Sequence, residues 1–196
     1  MADIFSKIIA QGIRDRATFP ARTQKAREWY RNAAKGIKNV NNRTFMSQNK
    51  TNLVNKAEVG KMYLFNYDPK HKATLPYYDK YPLVFPIGPA KGGFYGLNMH
   101  YLPPQMRASL MDNLYDYVSD DNMDSKTKIN MTYKVLNSTT KLKAFKPCIK
   151  HYLFKHVRSR YLFIYPSEWD MALMLPLARF EKQSSRYVYS KSLSMI

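Results

Sequence analysis

The sequence holds a single cysteine, Cys148, which excludes an internal disulfide framework. Its four histidines are scattered, so no structural zinc site is expected. No run of about 18 apolar residues occurs, and the sequence therefore offers no membrane-crossing helix. Residues 1–16 carry neither the apolar central region nor the small-residue cleavage site of a secretory signal. Acidic residues are scarce as well: 14 Asp and Glu stand against 32 Lys and Arg, a formal net charge of +18. What is present is a chain of 196 residues, 45% of them apolar, enough to bury a core and to exclude global disorder. That much uncompensated positive charge points to a polyanion or an acidic protein as partner.

The charge is unevenly spread. Residues 1–60 carry 12 basic and 4 acidic residues, residues 61–100 carry 5 and 2, residues 101–140 carry 4 and 5, and residues 141–196 carry 11 and 3. Both ends are basic around a nearly neutral middle. Such blocks mark a face or an arm rather than a core.

Composition divides the chain into a basic N-terminal arm (1–57), a core domain (58–180) and a polar C-terminal tail (181–196). In the arm, Ile4, Phe5, Ile8, Ile9 and Ile13 have helical spacing over Met1 to Arg16, and Pro20 interrupts the pattern. A second helix is expected from about Thr23 to Lys38, with Trp29, Ala33 and Ile37 on an apolar stripe and Arg27, Arg31, Lys35 and Lys38 on a cationic one. The asparagine-rich stretch from Asn39 to Asn55 has no period and reads as a loop or extended linker.

From Val59–Gly60 the character changes. Lys61 to Tyr67, Leu83 to Ile87, Phe94 to Leu102 and Tyr161 to Tyr165 read as strands rich in aromatics. Pro86 must place the second strand at an edge or at a bulge, and Gly88 to Gly93 has turn chemistry. Pro103-Pro104 opens a helix to about Val118, with Met106, Leu110, Leu114 and Tyr117 as its apolar stripe. Asp120 to Lys128 is a charged loop, and a further helix is expected over Ile129 to Ser138. Another is expected from Lys146-Pro147 to about His156, where Ile149, Leu153 and Val157 share a face. Asp170 to Leu175 returns as a strand or a short helix. The architecture expected is α+β: a small antiparallel barrel or sheet, SH3-like or similar, with inserted helices and extended basic arms at both ends. Trp169, Phe94 and Tyr95 are expected in its core.

No catalytic constellation emerges, and the expectation is a protein that is not an enzyme. His151 and His156 are five apart, not the four that places two metal ligands on one helical face. Cys148 lies between Lys146 and Lys150 without a histidine–carboxylate relay and reads as buried and structural. Asp112, Asp116, Asp120, Asp121 and Asp124 do not match a calcium loop and read as solvated. Gly92-Gly93-x-x-Gly96 sits in a hairpin context, not the strand-to-helix context of a phosphate loop. No cofactor is implied. The basic residues are the better candidates. Arg27, Arg31, Lys35 and Lys38, and the bracket Lys141, Lys143, Lys146, Lys150, Lys155, Arg158 and Arg160, have the chemistry to track a phosphate backbone without reading bases, or to dock on an acidic protein groove. Sixteen Tyr and ten Phe, several in Pro-rich loops such as Leu75-Pro76-Tyr77-Tyr78, add the composition of a contact surface.

Longer phrases carry a resemblance. Gly60-Lys61-Met62-Tyr63, Tyr67-Asp68-Pro69-Lys70, Leu75-Pro76-Tyr77-Tyr78-Asp79, Tyr81-Pro82-Leu83-Val84 and the run Gly92 to Pro104 resemble a virion protein family of T-even-like contractile-tailed phages, that of the DNA end protector. So do Phe145 to Leu153, Val157-Arg158-Ser159-Arg160 and Tyr165-Pro166-Ser167-Glu168-Trp169-Asp170. The resemblance covers about residues 58–180. It implies a virion structural protein near the end of the packaged genome, at the neck or tail, made in the host cytoplasm and present in several copies. Such a protein would contact duplex DNA non-specifically, shield its end from host exonuclease and aid head–tail joining. It transfers no catalytic residues. A tail or baseplate subunit that holds neighbouring virion proteins through its arms, without touching DNA, is the alternative.

Overall fold

The computed structural model describes residues 3–16, 23–118 and 120–194. Its helices are α1 (Ile4–Arg14), α2 (Gln24–Lys35), α3 (Asn42–Gln48), α4 (Pro104–Val118), α5 (Ser125–Thr139), α6 (Trp169–Met174) and α7 (Ser185–Leu193). Its strands are β1 (Leu53–Val54), β2 (Met62–Leu64), β3 (Tyr78–Asp79), β4 (Leu83–Ala90), β5 (Gly93–Asn98), β6 (Ile149–Leu153), β7 (Tyr161–Ile164) and β8 (Phe180–Glu181). Six strands form one antiparallel sheet in the order β1-β7-β2-β4-β5-β6, and β3 pairs with β8 apart from it. The sheet is open. Its outer strands β1 and β6 do not pair with each other, so the antiparallel α+β expectation holds while the SH3-like barrel does not.

Period-two alternation builds two cores on the two faces of this sheet. Met62, Leu64, Leu83, Phe85, Leu97, Leu162 and Ile164 face the helices. Tyr63, Phe65, Val84, Phe94, Tyr152 and Tyr161 face the other way and close a smaller aromatic core with Tyr67. Phe65 is its hub, with the rings of Tyr161 and Tyr152 edge-on at 5.1 and 5.2 Å. Pro86 does not make an edge. Strand β4 lies inside the sheet, and the ladder shifts register between Pro86 and Gly88, so the missing N–H is absorbed by a bulge. The hairpin turn is shorter than expected, since β4 runs to Ala90 and only Lys91-Gly92 turns, with Gly92 at φ +70°.

Described residues of the segment expected as an arm, 1–57, pack onto the core. Phe5, Ile8, Ala34, Val40, Phe45 and Met46 join the main core, where Phe5 and Phe45 meet edge-on at 5.2 Å. The break expected at Pro20 lies outside the described residues. The expected linker at Asn39 to Asn55 instead contains α3 and β1, because its asparagines hydrogen-bond the backbone. Asn41 accepts from Thr44 N–H at the N-cap, Asn42 donates to the Leu177 carbonyl and Asn49 to that of Phe45. The polar tail likewise docks as α7, with Val188 fully buried.

Three further expectations change. Helix α5 starts four residues early because Asp124 caps it, accepting from Lys126 and Thr127 N–H. The segment expected as a helix from Lys146 becomes a 3₁₀ turn (Lys143–Cys148) followed by β6, which pairs with β5. Gly93 explains that pairing. A Cβ there would lie 1.8 Å from the Tyr152 carbonyl oxygen, so only glycine admits so close a strand. Trp169 and Phe94 are buried as expected, Trp169 donating from Nε1 to the Ile164 carbonyl, but Tyr95 is 46% exposed on the outer side of β5.

Candidate nucleic-acid interface

Thr23 caps α2 by accepting from Ala26 N–H, and the helix carries Arg27 and Arg31 one turn apart. Both point inward. Arg27 Nη1 meets Asp112 Oδ1 at 2.9 Å with its guanidinium over the Tyr115 ring, and Arg31 Nη2 reaches the same oxygen at 2.9 Å. Arg31 Nε donates to Asp170 Oδ1 at 2.7 Å, and Arg31 is only 7% exposed. Burial opposes its charge, but the two carboxylates outweigh burial and hold its pKa above the ordinary value. The expected cationic stripe is therefore a correction: Arg27 and Arg31 tie α2 to α4 and α6, and only Lys35 and Lys38 remain exposed. Asp112, expected to be merely solvated, is their partner.

The bracket from Lys141 to Arg160 is not one face either. Lys141, Lys143 and Lys146 are exposed at and before the 3₁₀ turn, and Lys155 is exposed in a second 3₁₀ turn, Phe154–His156. Lys150 lies half-buried with Nζ 4.1 Å from the Tyr101 ring centre. Cys148 is buried, and burial pushes its thiol up to about 12, which removes it as a nucleophile.

Arg158 and Arg160 belong to a different assembly. A groove of about 590 Å³ is lined by Arg43, Lys50, Lys80, Arg158 and Arg160 together with Ser47, Asn66, Tyr81 and Ser159, and by no carboxylate. Strand pairing creates it. Leu53 in β1 opposes Leu162 in β7, which brings Lys50 beside the segment just before β7. That segment is pinned to the end of β2, because Asn66 N–H donates to Ser159 Oγ at 2.9 Å and Arg158 N–H to the Asn66 carbonyl at 2.8 Å. Arg43 comes from α3. Arg158 has a long contact to Asp68 at 3.4 Å and Lys80 one to Glu181 at 3.7 Å. Arg43, Lys50 and Arg160 are left without acidic partners among the described residues. Five cations around one concavity, three of them uncompensated and two held only by long contacts, make an anion-attracting track with polar hydroxyl and amide groups between them.

A second polar assembly lies behind it. Asp79 is buried and saturated: Oδ2 accepts from Asn98 at 3.1 Å and meets His100 Nδ1 at 2.7 Å, while Oδ1 accepts from Tyr81 N–H and Arg179 N–H. Burial opposes its charge, but His100 and these donors hold its carboxyl below the usual range. His100 is fully buried, and its Nε2 has no partner among the described residues. Burial, with Arg107 and Arg179 nearby, holds the imidazole below its ordinary pKa despite Asp79. Protonation would also leave a second N–H donor unpaired in the core. The unfolded chain then takes up a proton below about pH 6.5 that the folded chain refuses, so stability falls as the pH drops through 6. The melting temperature of the parent is expected to decline from pH 7 to pH 5 more steeply than that of His100→Gln. Equal slopes would show that His100 titrates normally.

Among the described residues no cluster of three or more His, Cys, Asp or Glu is placed to hold a metal ion. No described helix is long and apolar enough to cross a membrane. Neither the curated proteins nor the solved structures contain a match to this chain. A family model does match, over residues 2–195, and the chain belongs to the family of the phage T4 terminal DNA protecting protein.

Proposed function

We propose that this protein occupies the ends of the phage genome and shields them from exonuclease by steric cover, without cutting or joining DNA itself. The groove of Arg43, Lys50, Lys80, Arg158 and Arg160 carries the reading. Guanidinium and ammonium groups donate to phosphate oxygens and release condensed counterions, and that term is independent of base sequence. A protector of genome ends needs this lack of sequence preference. The family supplies the object, terminal DNA.

The finer placement belongs to the same proposal. The protein acts in the virion at the neck, where the packaged DNA ends, in several copies, and contributes to head–tail joining. Phe154, 58% exposed, and Leu142 offer apolar contacts to neighbouring virion proteins.

Linear duplex incubated with the protein and then with a processive exonuclease is expected to survive, and the variant Arg43→Ala/Lys50→Ala/Arg160→Ala is expected to lose that protection. Complete digestion at saturating parent protein would overturn the reading.

A further inference from the structure

A cavity of about 430 Å³ lies on the other side of the groove's wall, lined by tyrosines and by cations. Asn66 and Lys80 line the groove, their chain neighbours Tyr67 and Asp79 line the cavity, and Tyr67 N–H donates to the Lys80 carbonyl at 3.0 Å. The two concavities thus share one wall. We propose that this cavity holds the terminal nucleotide of a DNA strand, its phosphate at Lys150 and its base against the tyrosines. The inference rests on the DNA-end reading above.

Lys150 is the central observation. Its ammonium group sits half-buried at the cavity, 4.1 Å from the Tyr101 ring centre, and no carboxylate pairs with it among the described residues. Burial lowers its pKa, so the charge is held at a cost that a bound anion would relieve. Lys70 and His71 stand exposed at the rim and add donors for a phosphate. The one carboxylate in the lining, Asp79, is saturated by four donors and does not compete for Lys150. Tyr77 and Tyr78, both half-buried in the lining, supply the aromatic surface, and the buried Tyr101 ring backs Tyr77 at 6.1 Å between ring centres. Base stacking on such rings tolerates every base, which suits an end of any sequence. The volume falls within the range of about 300–1,000 Å³ usual for small-ligand sites.

Calorimetric titration with deoxyadenosine 5′-monophosphate tests this apart from duplex binding. The parent is expected to bind the nucleotide at least about tenfold more tightly than deoxyadenosine, the worth of one charge-assisted contact. Lys150→Met should erase that difference and Lys70→Ala should reduce it, Lys70 being an exposed position whose loss leaves the fold intact. Arg43→Ala/Lys50→Ala/Arg160→Ala should bind the nucleotide as the parent does. Equal binding of nucleotide and nucleoside, no binding of either, or nucleotide affinity unchanged in both lysine variants would overturn the proposal. Failure of exonuclease protection with nucleotide binding intact would instead overturn the end-protection reading, while the cavity remains a nucleotide site.

Discussion

Arg31→Met is expected to lower the stability of the fold by about 3–5 kcal/mol, the usual cost of leaving a buried charge without its partner. The loss concentrates on Asp170, which is itself buried and gives up its 2.7 Å bond from Arg31 Nε. Burial already raises the pKa of Asp170 and Arg31 works against that rise, so without the arginine its charged form loses its main support. Asp112 is more exposed and keeps Arg27, so it contributes less. The second variant Arg31→Met/Asp170→Leu removes both charges and is expected to recover most of the loss. Denaturant midpoints measure both. A loss under about 1 kcal/mol for Arg31→Met, of the size of an exposed pair, would show that the α2 arginines are surface groups after all.

The same arginines show where sequence reading fails. Arg27, Arg31 and Lys35 recur every four residues, and that spacing is identical whether the helix faces water or two carboxylates. The partners of Arg31 lie 81 and 139 residues away, beyond any local period. Strands β2, β4, β5 and β7 are legible because each carries its own signal, whereas the two-residue strands β1, β3 and β8 are too short to carry one. Alternation in Met62–Phe65 and Leu83–Phe85 reports two buried faces without help from the rest of the chain. Strand β6 is not, since Ile149, Leu153 and Val157 mimic a helical stripe, and only the glycines of β5 reveal that another strand must approach there. The asparagine-rich segment misleads in the opposite sense. Composition marks Asn39 to Asn55 as unable to bury apolar surface, but Phe45 and Met46 suffice once the amides find backbone partners. Of the groove, sequence reading reaches only Arg158 and Arg160. Arg43, Lys50 and Lys80 come from segments that the pairing of β1 with β7 and the ends of β2 and β4 bring together, and no motif links them.

Removing Arg43, Lys50 and Arg160 together is expected to flatten the salt dependence of duplex binding by about three units of log–log slope, at about 0.9 for each phosphate no longer neutralised. These three are the informative positions because Arg158 and Lys80 share part of their charge with Asp68 and Glu181. If all five cations of the groove meet phosphates, the parent should lose about 500-fold in affinity between 50 and 200 mM salt, and the variant far less. Because no base edge is read, the weakening should be the same on unrelated duplex sequences. Lys35→Ala/Lys38→Ala serves as the control. Those lysines are exposed on and just beyond α2, outside the groove, and their removal should leave the slope within about half a unit of the parent. Filter binding across a salt series gives all three slopes. An unchanged slope in the groove variant with a reduced one in the control would return the phosphate track to α2. Unchanged slopes in both, with groove-variant particles that fail to assemble, would assign the groove to an acidic protein surface instead, because its cations would then serve assembly without neutralising phosphates.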